Sequence, residues 1–113
     1  MFKQKNRLKK QTEVQEVVKK GKSVFDPVCG IRFSKNKLAE SRFAIVAGLK
    51  VNKSAVKRNR VRRQYREVIK LHINMIKPGF DVVLFVSAQS LDLTYAQKEE
   101  RLLAVLKRAG LWA

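Results

Sequence analysis

Apolar positions along this chain change period several times, and each change marks an element. Val14, Val17 and Val18 form one stripe of a short helix. Thr12 is placed to cap it, with Gln15 three residues on in capping-box spacing, and Lys19-Lys20-Gly21 reads as its stop. Two strand-like runs follow, Val28 to Phe33 and Arg42 to Ala47, with a polar turn from Ser34 to Ser41 between them; the spacing predicts a hairpin. The longest periodic segment runs from about Ala55 to Lys77 and is closed by Pro78-Gly79. At helical spacing Val61, Tyr65, Val68, His72 and Ile76 fall within about an 80° arc, which Ile69 and Met75 widen. Asp81 to Val86 is apolar on both faces and reads as a central strand. A last helix starts at Thr94, with Gln97 in capping-box spacing, and Leu102, Leu103, Val105 and Leu106 form its stripe before Gly110 ends it. The order helix, strand, strand, helix, strand, helix predicts an α/β fold, a two-layer α+β sandwich with a small central sheet that the long helix crosses.

Length and composition narrow the class. A chain of 113 residues makes one domain, 1–113, with no internal repeat and no linker rich in Pro, Gly or Ser. No apolar run approaches the roughly 18–20 residues that span a bilayer, and the polar start, Met1 to Arg7, does not read as a signal peptide. The single Cys29 forms no intrachain disulfide or Cys-based zinc site, and the single His72 removes most other ligand patterns. These features predict a soluble protein of the reducing cytoplasm. Cys29 alternates with Ile31 and Phe33, so it reads as a buried structural thiol. His72 reads as a packing residue, since no carboxylate is obviously placed to orient it. Trp112 is expected on the domain edge, and Phe25 with Asp26-Pro27 reads as turn chemistry. No Ser-His-Asp set, carboxylate pair or Gly-rich phosphate loop is visible, so the chain alone is not expected to catalyse a reaction.

Charge changes the picture most. Lys and Arg number 26 against 9 acids, a net charge of +17. Such self-repulsion calls for a polyanionic partner. The charge is clustered: residues 1–22 and 50–70 together hold +14 of it, and residues 71–113 hold only +1. The first ten residues read as a basic arm. On the long helix, Asn59, Arg62, Arg63, Arg66 and Lys70 lie opposite the apolar stripe. A solvated face interleaves Glu with Lys at four-residue spacing, and this one does not. Arg suits phosphate because its planar fork donates paired hydrogen bonds and keeps its charge. A broad basic surface on a sheet domain suits a folded RNA, read through shape and phosphates; a ribosomal-type structural RNA-binding protein, a DNA regulator and a membrane-surface protein are the other readings. The membrane reading is the weakest, because the core needs the helix's apolar face.

The segment Val56-Lys57-Arg58-Asn59-Arg60-Val61-Arg62-Arg63, with Glu67 following, resembles the Arg-Asn-Arg signature helix of the bacterial ribonuclease P protein family. Asn6-Arg7-Leu8-Lys9-Lys10 before a short helix closed at Gly21 is similar to that family's opening, and Leu93-Thr94-Tyr95 fits its pattern before the last helix. The resemblance covers nearly the whole chain. It implies a left-handed βαβ crossover and the role of accessory protein subunit of an endoribonuclease that removes the 5′ leader of precursor transfer RNA. It implies that catalysis belongs to the RNA subunit and its bound Mg²⁺, with no protein-held cofactor or metal. The implied partners are ribonuclease P RNA and precursor tRNA, with no membrane and no obligate protein partner.

Carried onto this chain, the resemblance implies that Lys57, Arg58, Asn59, Arg60, Arg62, Arg63 and Arg66 contact the catalytic RNA, flanked by Lys50 and Lys53. Arg7, Lys9 and Lys10 extend the positive track. Val14 and Val18 from the first helix, and Val28 and Arg32 from the first strand, line a cleft for the leader. The chain departs from the family pattern in that cleft: Val14 and Val18 stand where Phe is frequent, and the aromatic the family often has near Arg32 is missing. Lys53 replaces the usual glycine before the signature helix, and Ser87-Ala88 stand where a basic residue usually follows the third strand. With aromatic stacking on bases lost, leader contact is expected to be weaker or more purely electrostatic.

Overall fold

A computed structural model describes residues 4–48 and 50–113. Three helices, α1 (Gln11–Lys20), α2 (Ala55–Leu71) and α3 (Tyr95–Arg108), surround a sheet of β1 (Lys22–Val24), β2 (Cys29–Lys35), β3 (Arg42–Val46) and β4 (Phe80–Val86). The strand order is β1-β2-β4-β3. β4 pairs antiparallel with β2, Cys29 opposite Val86, and parallel with β3, Val46 opposite Phe85. This is the α/β architecture the pattern predicts, with β4 inside the sheet and α2 as the crossover between parallel β3 and β4, but helices cover both faces of the sheet instead of one.

The predicted hairpin between the second and third strands does not form, because β4 lies between them. β4 is apolar on both faces and is stable only with cover above and below. The polar turn after β2 instead straddles the start of β4. Asn36 Nδ2 donates to Asp81 Oδ1 at 2.9 Å, and Ser41 Oγ donates to the Lys77 carbonyl at 2.7 Å. The hairpin that does form joins β1 and β2, with Lys22 opposite Phe33. β1 is short and largely exposed, so no apolar pattern marks it.

The two faces of the sheet differ. Cys29, Ile31 and Phe33 of β2 and Val82, Leu84 and Val86 of β4 form the main core with Val61, Tyr65, Val68 and Ile69 of α2 and Leu102, Val105 and Leu106 of α3. On the other face Val17 of α1 packs with Leu8 and Val83, and Val14, Val18, Ala44 and Phe85 close around them. Tyr65 is fully buried and shares a 2.7 Å hydrogen bond with Ser90 Oγ, which satisfies its hydroxyl.

Helix ends follow tertiary demands as much as local ones. Thr94 and Gln97 form the predicted capping box, at 3.1 and 2.9 Å. Thr12 does not cap α1, which begins at Gln11 after Lys10 with no side-chain cap. Gly21 ends α1 because of space, since a Cβ there would sit 2.5 Å from the Val17 carbonyl oxygen and 2.8 Å from that of Phe33. α2 stops at Leu71 rather than Lys77. Residues beyond it bond to the carboxy-terminal segment instead, Lys77 N to the Leu111 carbonyl and Ala113 N to the Met75 carbonyl, both at 2.7 Å. Ile76 is buried as expected, whereas Met75 is exposed.

Candidate nucleic-acid interface

Ser54 caps α2, its hydroxyl accepting from Lys57 N at 3.3 Å, and Asn52 Oδ1 accepts from Ser54 N at 2.8 Å. Burial of Val61, Tyr65, Val68 and Ile69 on the sheet turns the opposite face outward. Lys57, Asn59, Arg60 and Arg63 are exposed there, and Arg58, Arg62 and Arg66 are half-buried. Lys50 and Lys53 are exposed beside the helix's amino-terminal end. The expected basic ridge is therefore physical, but its members differ. Arg62 donates to the Ala47 carbonyl at 2.9 Å and to Asn59 Oδ1 at 2.6 Å, which pins α2 to the end of β3. Nε of Arg58 and of Arg7 are buried with no acceptor among the protein's atoms.

The basic arm is docked. Its first three residues lie outside the described residues. From Gln4 the chain makes a 3-10 turn, buries Asn6, whose Nδ2 donates to the Ser41 carbonyl at 3.0 Å, and then runs beside β3. Arg7 bridges to Phe43 in parallel, and Leu8 N donates to the Phe43 carbonyl at 2.9 Å. This edge pairing brings Arg7 and Lys9 to Arg66 of α2 around a concavity of about 270 Å³ floored by Phe43, Ala44 and Ile45. Burial pushes the Arg66 guanidinium's pKa down, and the positive charges of Arg7 and Arg62 push it further. Like charges held together this way favour an anion between them. Lys10 is exposed at the start of α1.

A second concavity, about 370 Å³, separates the other flank of α2 from the start of α3; Lys57, Arg60, Gln64 and Lys98 line it. Lys98 is 3% exposed, with Nζ donating to the Leu93 carbonyl at 2.9 Å. Burial, then Arg60, lower its pKa. Lys98 gave no signal in the sequence because Glu99 and Glu100 follow it directly, in a nearly neutral third of the chain.

The structure brings Val14, Val18 and Arg32 together and leaves Val28 out. Val14 and Val18 are half-buried against the sheet, and Arg32 donates to the Val18 carbonyl. Val28 lies in the main core on the opposite face, beside Leu93 and Arg101. Strict alternation would put it with Arg32. The Asp26 carboxylate breaks the alternation by accepting from both Val28 N and Cys29 N, at 2.9 and 3.2 Å, so both side chains turn into one core. Ion pairing of Asp26 with Arg101 at 2.9 Å fixes that turn.

Other candidate groups are structural. Cys29 is fully buried, and desolvation pushes its thiol up to about 12. His72 does have a carboxylate partner, contrary to expectation: α3 supplies Glu99, with Oε2 2.9 Å from Nε2. Trp112 packs at the domain edge, bridged to Ile76, with Lys107 Nζ 5.3 Å from the ring centroid. Among the described residues, no three His, Cys, Asp or Glu side chains could hold a metal ion, and no helix is long and apolar enough to cross a membrane.

A cationic helix and a docked basic strand on one α+β sheet define the class, a protein built to hold a structured polyanion. The family model described as Ribonuclease P matches residues 2–110. The chain is 38% identical over 110 residues to the ribonuclease P protein component of Fusobacterium nucleatum, covering 94% of this chain and 98% of the relative. It is 37% identical to that of Clostridioides difficile, covering 92% and 91%. The solved RNase P protein of Staphylococcus aureus matches the fold with a TM-score of 0.88 at 30% identity, covering 96% of this chain and 98% of that one. The Thermotoga maritima RNase P protein matches at 0.83 and 29%, covering 90% and 96%. The chain belongs to the ribonuclease P protein family.

Proposed function

We propose that this chain binds ribonuclease P RNA through the α2 ridge and the Arg7–Arg66 concavity, and the 5′ leader of precursor tRNA through the cleft beside α1. As a ribonuclease P protein component it serves 5′ maturation of transfer RNA, and catalysis falls to the RNA. The observation that carries the RNA-binding surface is the convergence of Arg7, Lys9 and Arg66, 59 residues apart between Arg7 and Arg66, on one concavity beside the ridge. Each phosphate neutralised there releases counterions and lowers the repulsion between packed RNA segments. The RNA in turn relieves the self-repulsion of a +17 chain.

In this reading the holoenzyme's Mg²⁺ is held by RNA. The protein's cations take over part of the charge screening, so the requirement for Mg²⁺ falls. Val14, Val18 and Arg32 offer a single-stranded leader an apolar wall and one guanidinium, with no obligate protein partner, in the cytoplasm. The test is reconstitution with a bacterial ribonuclease P RNA and precursor tRNA at low Mg²⁺. Stimulated leader removal is expected; no stimulation overturns the reading.

A further inference from the structure

Phe25 is 80% exposed, yet its backbone is held on both sides. Val24 before it pairs with Ile31 in the β1–β2 ladder, and Arg108 of α3 donates to the Phe25 carbonyl. The next residue, Asp26, is fixed by two backbone N–H groups and by Arg101. An exposed apolar side chain is ordinary by itself. This one stands at the rim of a groove of about 410 Å³ lined by Val24, Pro27, Gly30, Arg32 and Phe85, a volume within the range of small-ligand sites. The sheet register puts Gly30 opposite Phe85 and Arg32 opposite Val83. Since Val83 and Phe85 pack with Val14 and Val18, the groove continues directly from the cleft beside α1. Its nearby ionic groups are Arg32, exposed Lys22, Arg108 on the Phe25 carbonyl, and the Asp26 carboxylate paired with Arg101.

We propose that Phe25, with Phe85 below it, is a stacking platform for an unpaired base of the RNA strand that enters the α1 cleft. The proposal rests on the leader-binding reading above and adds a residue and a contact type to it. A rigid turn presenting a ring over a groove that holds a guanidinium suits a strand with planar bases and a negative backbone. An apolar protein segment would leave Arg32 without an anion. The site moves aromatic contact from α1, where Val14 and Val18 stand, to the β1–β2 turn.

The test uses holoenzyme reconstituted with a bacterial ribonuclease P RNA and precursor tRNAs carrying one-nucleotide or eight-nucleotide leaders, the longer one also with single 2-aminopurine substitutions. Phe25→Ala should cut the affinity advantage of the long leader about 5- to 20-fold, within the range of losing one stacked base. It should also abolish the fluorescence quenching of one leader position, and Phe25→Tyr should restore both. The ring is solvated, so the fold should survive each change. An undiminished advantage and unchanged quenching in Phe25→Ala, with Arg32→Ala still reducing the advantage, would overturn the platform and keep the cleft. Equal wild-type affinity for both leaders would overturn the leader reading and the platform with it. A Phe25-dependent change in oligomeric state would assign the ring to a second copy and overturn the proposal.

Discussion

Arg42 of β3 grips Asp81 of β4 with two donors, Nε at 2.9 Å and Nη2 at 2.8 Å. The same guanidinium reaches Glu13 of α1 at 3.1 Å, so one side chain ties the helix to the two parallel strands. Hydrogen bonding to Asp81 is the main cause that raises the Arg42 pKa. Arg42→Ala leaves a largely buried carboxylate without its cation and should cost about 3 kcal/mol, the scale of a broken buried pair. Glu13→Gln, at the more exposed end, should cost under about 1 kcal/mol. Urea unfolding of the two variants checks the contrast.

The ridge arginines should separate by measurement. Arg63→Ala and Arg66→Ala should each weaken binding to ribonuclease P RNA and lower the slope of log K against log salt by about 0.7–0.9. Arg62→Ala should do so and also destabilise the fold by about 1–2 kcal/mol, because it loses the bond to the Ala47 carbonyl. Salt-dependent binding paired with thermal melts distinguishes them. An unchanged slope for both Arg63→Ala and Arg66→Ala would move the RNA off this face.

Alkaline pH should expose Cys29. Its thiol ionises near 9.0 ordinarily and near 12 in the fold, chiefly through desolvation. Between those values the unfolded chain binds fewer protons, so stability falls as pH rises, by up to about 1.4 kcal/mol per pH unit for this group. Burial shifts the Tyr65 hydroxyl the same way. The readable quantity is the difference in stability between wild type and Cys29→Ala. The margin of the wild type over Cys29→Ala should narrow from pH 9 to pH 10.5 in urea titrations.

Widening the apolar wall should strengthen leader binding. Val14 is half-buried at the edge of the cleft, and Val14→Phe adds a ring there. Precursor tRNA with a long leader should bind more tightly, by about fivefold or more if the ring stacks on a base. Equal affinities for substrates with and without leaders would count against the placement.

The ridge and the cores were legible because periodicity is a local property. Val61, Tyr65 and Val68 repeat at helical spacing whatever surrounds them, and the opposite face of α2 is then fixed by geometry. The capping box of Thr94 and Gln97 is equally local and appears as expected. Readings failed where a distant partner intervened. β4 displaced the expected hairpin, Asp26 held by Arg101 of α3 turned Val28 away from the cleft, and Glu99 supplied a partner for His72 from 27 residues away.

The sequence by itself determined that this chain is a small α/β domain with a cationic helix, because charge and apolar spacing are properties of the order of residues. It also carried the family resemblance. Only the tertiary structure decided which cations lie side by side. Arg7 joins Arg66 because the amino-terminal segment pairs with the edge of β3, and Lys98 faces Arg60 because α3 packs beside α2. Phe25 stands at the rim of its groove because Arg108 and Arg101 of α3 hold the β1–β2 turn. Those meetings depend on strand order and helix docking, which are set by burial of the whole core and not by the spacing of any one segment.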